Sequence, residues 1–210
     1  MLESLLQAAR PLLAAAFEIG SSPVTWLEVL AFWLAIAMVL ANMRVNPVAW
    51  PLAIASSLLY ALLFADGKLY GMAALQLFFV VVAFWGWWQW LRGRGADGAP
   101  LRVHRLSRGA RIVAVLATLA AWPLLGTLLA RGTDSPVPYA DALPTVASVT
   151  GQILLGRKTI ENWAVWLAVN VFSVGLFAYR ALWLTTLLYA VFAVLSVAGW
   201  RAWRRLEQGT

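Results

Sequence analysis

The stretch GWWQW, residues 86–90, returns as GWRAW at residues 199–203, displaced by 113 positions. At that same displacement Arg44 and Trp50 fall on Arg157 and Trp163, and LFA at 63–65 falls on LFA at 176–178. Pro23–Val24 falls on Pro136–Val137, and Glu28 on Asp141. Residues 23–93 match residues 136–206 without a gap at 17 of 71 positions. Apolar composition supplies some chance matches among Leu, Val and Ala. It does not supply tryptophan, glycine and arginine matches held in one register. The chain is two copies of one unit.

What kind of unit follows from composition. Of the 210 residues 62% are hydrophobic and only 12% charged, more apolar surface than a soluble domain of this size can bury. The chain reads as an integral membrane protein. Thirteen tryptophans agree, because indole favours both the membrane–water interface and ring stacking. The absence of cysteine excludes disulfides, thiolate nucleophiles and Cys-bound metals. A net charge of +7 could suggest nucleic acid, but the basic residues lie in loops between apolar runs, so no nucleic-acid partner is expected.

Runs of about 18–22 apolar residues, enough to cross the hydrocarbon core as helices, lie at 24–42, 48–65, 69–90, 112–130, 139–156, 162–179 and 182–203. Residues 1–19 are expected to form an amphipathic interfacial helix interrupted near Pro11. They lack a basic n-region, and Glu3 precedes the first apolar run, so they are not read as a signal peptide. A three-helix unit inverts when simply duplicated, and the fourth span restores its direction. The expected fold is therefore all-α, with seven transmembrane helices in two parallel three-helix repeats joined by a linking helix. The segments are an interfacial stretch 1–22, repeat one 23–93, a basic loop 94–111, a linker helix 112–135, repeat two 136–206 and a tail 207–210. With the N-terminus outside, twelve of the sixteen Lys and Arg residues collect on one face, including six arginines from Arg92 to Arg111. By the positive-inside rule that face is cytoplasmic.

Other residues resemble a known family. WP at 50–51, LF at 63–64, KLYG at 68–71, LQ–x2–F at 75–79 and GW–x2–W at 86–90 resemble the first half of the PnuC family. RK–x2–ENW–x2–W at 157–166 and GW–x2–W at 199–203 resemble its second half. The resemblance runs from about Trp26 to Trp203, and its motifs are specific in combination. It implies a bacterial inner-membrane carrier of nicotinamide riboside, with a fold related to the SWEET sugar transporters and a homotrimeric assembly. Relatives carrying thiamine or riboflavin leave the vitamin open. Trp183 and Arg180 depart from the pattern, which has a smaller residue and a tyrosine there.

Polar residues at depth are the candidates for a site. In ENWAVWLAVN, residues 161–170, Trp163, Trp166 and Asn170 share roughly 60° of helix arc. Gln76, Gln152 and Tyr189 lie inside other spans, and an amide at lipid depth is costly without a partner. Trp163 and Trp166 are expected to face a flat ring, with Asn170, Gln76, Gln152 and Tyr189 taking its polar groups. Thr145 and Ser148, which share a stripe with Gln152, and Thr185 and Ser196 on the last span read as interhelical hydrogen-bonding residues. The repeat mates Val39 of Gln152, Ser57 of Asn170 and Tyr189 of Gln76 differ, as contacts to an asymmetric molecule require. Trp87, Trp90, Trp200 and Trp203 read as interfacial anchors, and Gly86 and Gly199 as close-packing positions. Glu28 and Asp141 are expected to cap first turns, Glu161 to sit beside Arg157 and Lys158, and His104 to be solvated.

With one loop histidine and no acidic pair at depth, no catalytic residue, metal or cofactor is expected, and an enzyme has nothing to be built from. A non-transporting scaffold would not need glutamines and an asparagine on converging faces. No Asp, Glu, His, Lys or Arg lies in mid-span to carry a proton, so transport is expected to be facilitated diffusion.

Overall fold

The computed structural model of the chain describes residues 2–19, 22–66, 70–95, 98–132, 137–179 and 183–209. Lys68, Arg180 and Pro136 lie outside the described residues. A helix occupies each of the seven apolar intervals: α2 (Trp26–Met43), α3 (Ala49–Asp66), α4 (Tyr70–Arg92), α5 (Arg108–Gly132), α6 (Pro138–Gly156), α7 (Asn162–Tyr179) and α8 (Trp183–Gln208). Among the described residues, α2, α3, α5 and the Thr186–Gln208 part of α8 are long and apolar enough to cross a membrane. The helices α5 and α8 overrun the apolar runs into arginine-rich turns, because arginine is a good helix former wherever its head reaches water.

The N-terminal segment departs from expectation. Helix α1 (Leu2–Leu13) carries Pro11 within its last turn and ends there, rather than continuing to residue 19. The chain then forms an antiparallel pair, β1 (Ala15–Ile19) with β2 (Ser22–Thr25), in which Phe17 opposes Val24 and Glu18 opposes Pro23. Proline removes an i→i−4 bond, a loss tolerated near a helix end, and the Phe17/Glu18/Ile19 alternation favours extended chain beyond it. Thr25 closes the hairpin and caps α2. Its backbone N–H donates to Glu28 at 2.8 Å while the Glu28 N–H donates to the threonine hydroxyl at 3.2 Å, a reciprocal capping box. The equivalent end of α6 starts at Val137 with no side-chain cap; Pro138 follows, and Asp141 stands in the first turn.

The chain forms two compact units, Met1–Leu91 and Arg92–Thr210. In the first, α2 packs on α3 and α1 lies against both. In the second, α5, α6, α7 and α8 pack in chain order. Thr118 of α5 bonds Thr150 of α6 at 2.7 Å, the Trp122 indole donates to the Tyr139 carbonyl at 2.7 Å, and the Tyr139 ring rests on Gly126. Elsewhere α5 is bare: Ile112, Val113, Val115, Leu116, Leu119, Leu124 and Leu128 are each more than half exposed, as lipid-facing side chains are.

The turns α2–α3 and α6–α7 are the same structure. Val45 (φ 52°) and Lys158 (φ 55°) are left-handed, and they are separated by the repeat offset. Val45 N–H donates to Asn42 and Asn46 N–H to Ala41, just as Lys158 N–H donates to Leu155 and Thr159 N–H to Leu154. Both are Schellman C-caps built on residues other than glycine, which pay strain to satisfy the last carbonyls.

Only the second unit adds a strap. The chain between α4 and α5 runs alongside the α6–α7 turn: His104 N–H donates to Lys158, and Ile160 N–H donates back to His104. The Lys158 ammonium donates to the Leu101 carbonyl at 3.0 Å, and its burial lowers the pKa from the usual lysine range. Glu161 accepts from Leu106 N–H at 3.1 Å and from Arg111 Nε at 2.9 Å, so its ion-pair partner is Arg111 rather than the adjacent Arg157 and Lys158. Arg105 pairs with Glu207 at the end of α8. The His104 ring stays exposed, while its backbone belongs to this bridge. Glu161→Ala removes a part-buried bond from the Leu106 N–H, worth about 1.5–3 kcal/mol, and a surface ion pair with Arg111 worth about 0–1 kcal/mol. We expect trypsin cleavage at Arg102 and Arg105 at least tenfold faster in that variant, measured by gel on protein in detergent; an unchanged rate would mean that the backbone bridge alone holds the strap.

Candidate functional site

The framework of each unit is a tryptophan seated on a glycine. Trp163 of α7 lies over Gly199 of α8 and meets Trp203 edge-on at 5.6 Å and 88°. Trp50 of α3 lies over Gly86 of α4 and meets Trp90 edge-on at 5.5 Å and 88°. All four indoles are buried, Trp203 completely. Trp90 and Trp203 are therefore core residues, which corrects their reading as interfacial anchors; Trp88, 55% exposed, is free to play that part. The cause is the neighbouring helix: Trp50 and Trp163 fill the grooves at Gly86 and Gly199 and give Trp90 and Trp203 an aromatic partner to bury against. Among the described residues the Nε1 atoms of Trp50 and Trp163 meet no hydrogen-bond partner, so packing holds these rings.

One turn further along α7, Trp166 is half-buried and lies against Gly151 of α6, whose missing side chain leaves room for the indole. Gln152, the next residue of α6, is buried. Asn170 is 4% exposed and donates from Nδ2 to the Ser196 hydroxyl at 3.1 Å, which itself donates to the Phe192 carbonyl at 2.7 Å. Asn170 thus ties α7 to α8. Tyr189 of α8 is half-buried, with its ring edge-on to Phe192 at 6.1 Å. Gln76, in the first unit, is half-buried on α4. Thr145 bonds back to the Asp141 carbonyl. The side chains of Trp183 and Thr185 lie outside the described residues.

Within the second unit, then, a tryptophan edge, a buried glutamine and an asparagine–serine pair stand on the packed helices α6, α7 and α8, with no Asp, Glu, Lys, Arg or His in 142–156, 162–179 or 183–200. Such a set offers an aromatic edge and neutral hydrogen-bonding groups rather than charge. Sequence reading missed the glycine seat of Trp166. The signal was the repeat itself, in which Trp50/Gly86 and Trp163/Gly199 are already identities and pair an indole with a glycine.

Duplicated helical halves that share their packing residues and differ in their polar ones mark a repeat-built membrane transporter. A model of the family described as nicotinamide mononucleotide transporter matches residues 25–205, and the chain belongs to that family. It is 25% identical over 169 residues to the nicotinamide riboside transporter PnuC of Escherichia coli K12, covering 69% of this chain and 71% of that protein. It is 28% identical over 192 residues to the riboflavin/roseoflavin transporter RibM of Streptomyces davaonensis, covering 90% of this chain and 89% of the other. The crystal structure of the vitamin B3 transporter PnuC matches its fold with a TM-score of 0.73 at 24% identity, over 99% of this chain and 90% of that one.

Proposed function

We propose that the chain carries nicotinamide riboside across the bacterial inner membrane by passive alternating access, with net uptake drawn by phosphorylation on the cytoplasmic side. The family match supports the class of vitamin carrier. The observation that supports a site is the Trp166 indole set against Gly151, with the buried Gln152 next in sequence to that glycine. An amide at lipid depth is costly without a partner, and a hydroxyl or carboxamide of a bound molecule supplies one. Nicotinamide riboside offers both, together with a cationic ring for which an indole face is worth about 0.5–2 kcal/mol. In this reading Trp166 stacks on the ring and Gln152, Asn170, Gln76 and Tyr189 take polar groups; Trp163, expected from the sequence to face the ring as well, is buried against Gly199 and holds α7 to α8. The units 23–93 and 136–206 act as parallel repeats joined by α5 across seven spans. By the family resemblance, the assembly is a homotrimer.

Uptake of radiolabelled nicotinamide riboside into liposomes tests the function. Entry should stop at equal concentration, with or without an imposed proton or sodium gradient. Accumulation above equilibrium would end the passive reading. Thiamine and riboflavin belong in the same assay, because the RibM likeness covers more of this chain than the likeness to E. coli PnuC. Riboflavin entry without nicotinamide riboside entry would reassign the substrate.

The orientation follows from charge: residues 98–107 and the C-terminus face the cytoplasm, and the N-terminus faces the periplasm. Reporter fusions at residue 100 and at the C-terminus should both report cytoplasm. Opposite sides would remove the odd number of spans.

A further inference from the structure

We propose that Gly151 is a positioning residue that fixes the Trp166 indole in the orientation from which it recognises a planar cationic ring. The inference rests on the reading that Trp166 stacks on substrate. A Cβ built on Gly151 would lie 3.1 Å from Cε2, 3.3 Å from Nε1 and 3.4 Å from Cζ2 of Trp166. The nitrogen-bearing edge of the indole is therefore set against the α6 backbone at near-contact distance, and even one methyl group there moves it.

Comparison of the two units shows that this arrangement is particular to the second. The repeat mates of Gly151 and Trp166 are Met38 and Ala53. In the first unit the long side chain comes from the earlier helix and the small one from the later; in the second these sizes are exchanged. Around this level the framework is unchanged, with Trp50, Gly86 and Trp90 matching Trp163, Gly199 and Trp203 in identity and geometry. The exchange moves the larger residue to the later helix, and Trp with Gly is bulkier than Met with Ala, so filling this level does not by itself require an indole. Only the second puts an aromatic ring beside Gln152. Packing therefore does not explain the choice, whereas recognition of a ring does.

The test compares Gly151→Met, Trp166→Ala, the double variant and the parent protein. Thermal unfolding is followed in detergent, and binding of nicotinamide riboside by calorimetry. Each single variant should unfold at lower temperature, one overfilled and the other left with a cavity. The double variant should recover part of the loss, since the methionine fills some of the space the indole leaves, yet its binding should stay at least tenfold weaker than the parent's. Additive losses of stability would overturn the seat whatever the binding shows. Recovered stability with parental affinity would overturn the recognition role and the Trp166 site with it. Gly151→Ala gives a milder probe: binding weakened about threefold to tenfold, with a narrowed preference for nicotinamide riboside over its neutral dihydro form. A residue that only packs would leave that preference unchanged.

Discussion

Gly199→Ala and Gly86→Ala each destabilise the protein, although alanine is the better helix former. A Cβ at Gly199 would lie 2.5 Å from Cη2 and Cζ3 of Trp163, and at Gly86 the ring of Trp50 is closer still. Replacing a helical glycine gains about 1 kcal/mol of propensity. Displacing a fully packed indole costs about 1–3 kcal/mol, and here more, because each indole is also held edge-on by a second one, Trp203 or Trp90. The expected net loss is about 1–2 kcal/mol per site. Near-ultraviolet circular dichroism during thermal unfolding should show a lower midpoint for each. The variant Gly199→Ala with Trp163→Phe should lose less than the two changes summed, since the smaller ring leaves room for the methyl group. A stabilised Gly199→Ala protein would show that the groove is looser than the geometry states.

Trp166→Ala and Gln76→Ala each weaken nicotinamide riboside binding at least tenfold, about 1.4 kcal/mol, in protein that stays folded. For Trp166 the loss is the indole face under a cationic ring, with an aliphatic replacement supplying no quadrupole. For Gln76 it is a neutral amide that binds a polar group without holding it by charge, as a carrier must if it is to release. Asn170→Ala behaves differently: its amide already serves Ser196, so stability falls along with binding. Calorimetry on the purified variants separates these cases. Parental affinity in both Trp166→Ala and Gln76→Ala would move the site elsewhere.

The seven helical intervals were legible in the sequence because the length of an apolar run, which hydropathy reads, is a local property. The repeat was legible because an offset of 113 is arithmetic on letters, and the Thr25–Glu28 cap because a capping box closes within one turn. Other features belong to the tertiary structure. Trp203 and Trp88 carry the same side chain, yet one is wholly buried and the other 55% exposed. What separates them is the partner: Trp203 lies edge-on to the Trp163 indole, which fills the groove at Gly199, and α7 is distant from Trp203 in sequence. The left-handed caps at Val45 and Lys158 carry no glycine to announce them; surrounding hydrogen bonds impose a backbone that local preference opposes. The strap over the α6–α7 turn joins Glu161 to Arg111, 50 residues away, in place of the neighbouring Arg157 and Lys158. Charge pattern places such residues on one side of a membrane, but only the packed helices decide which of them meet.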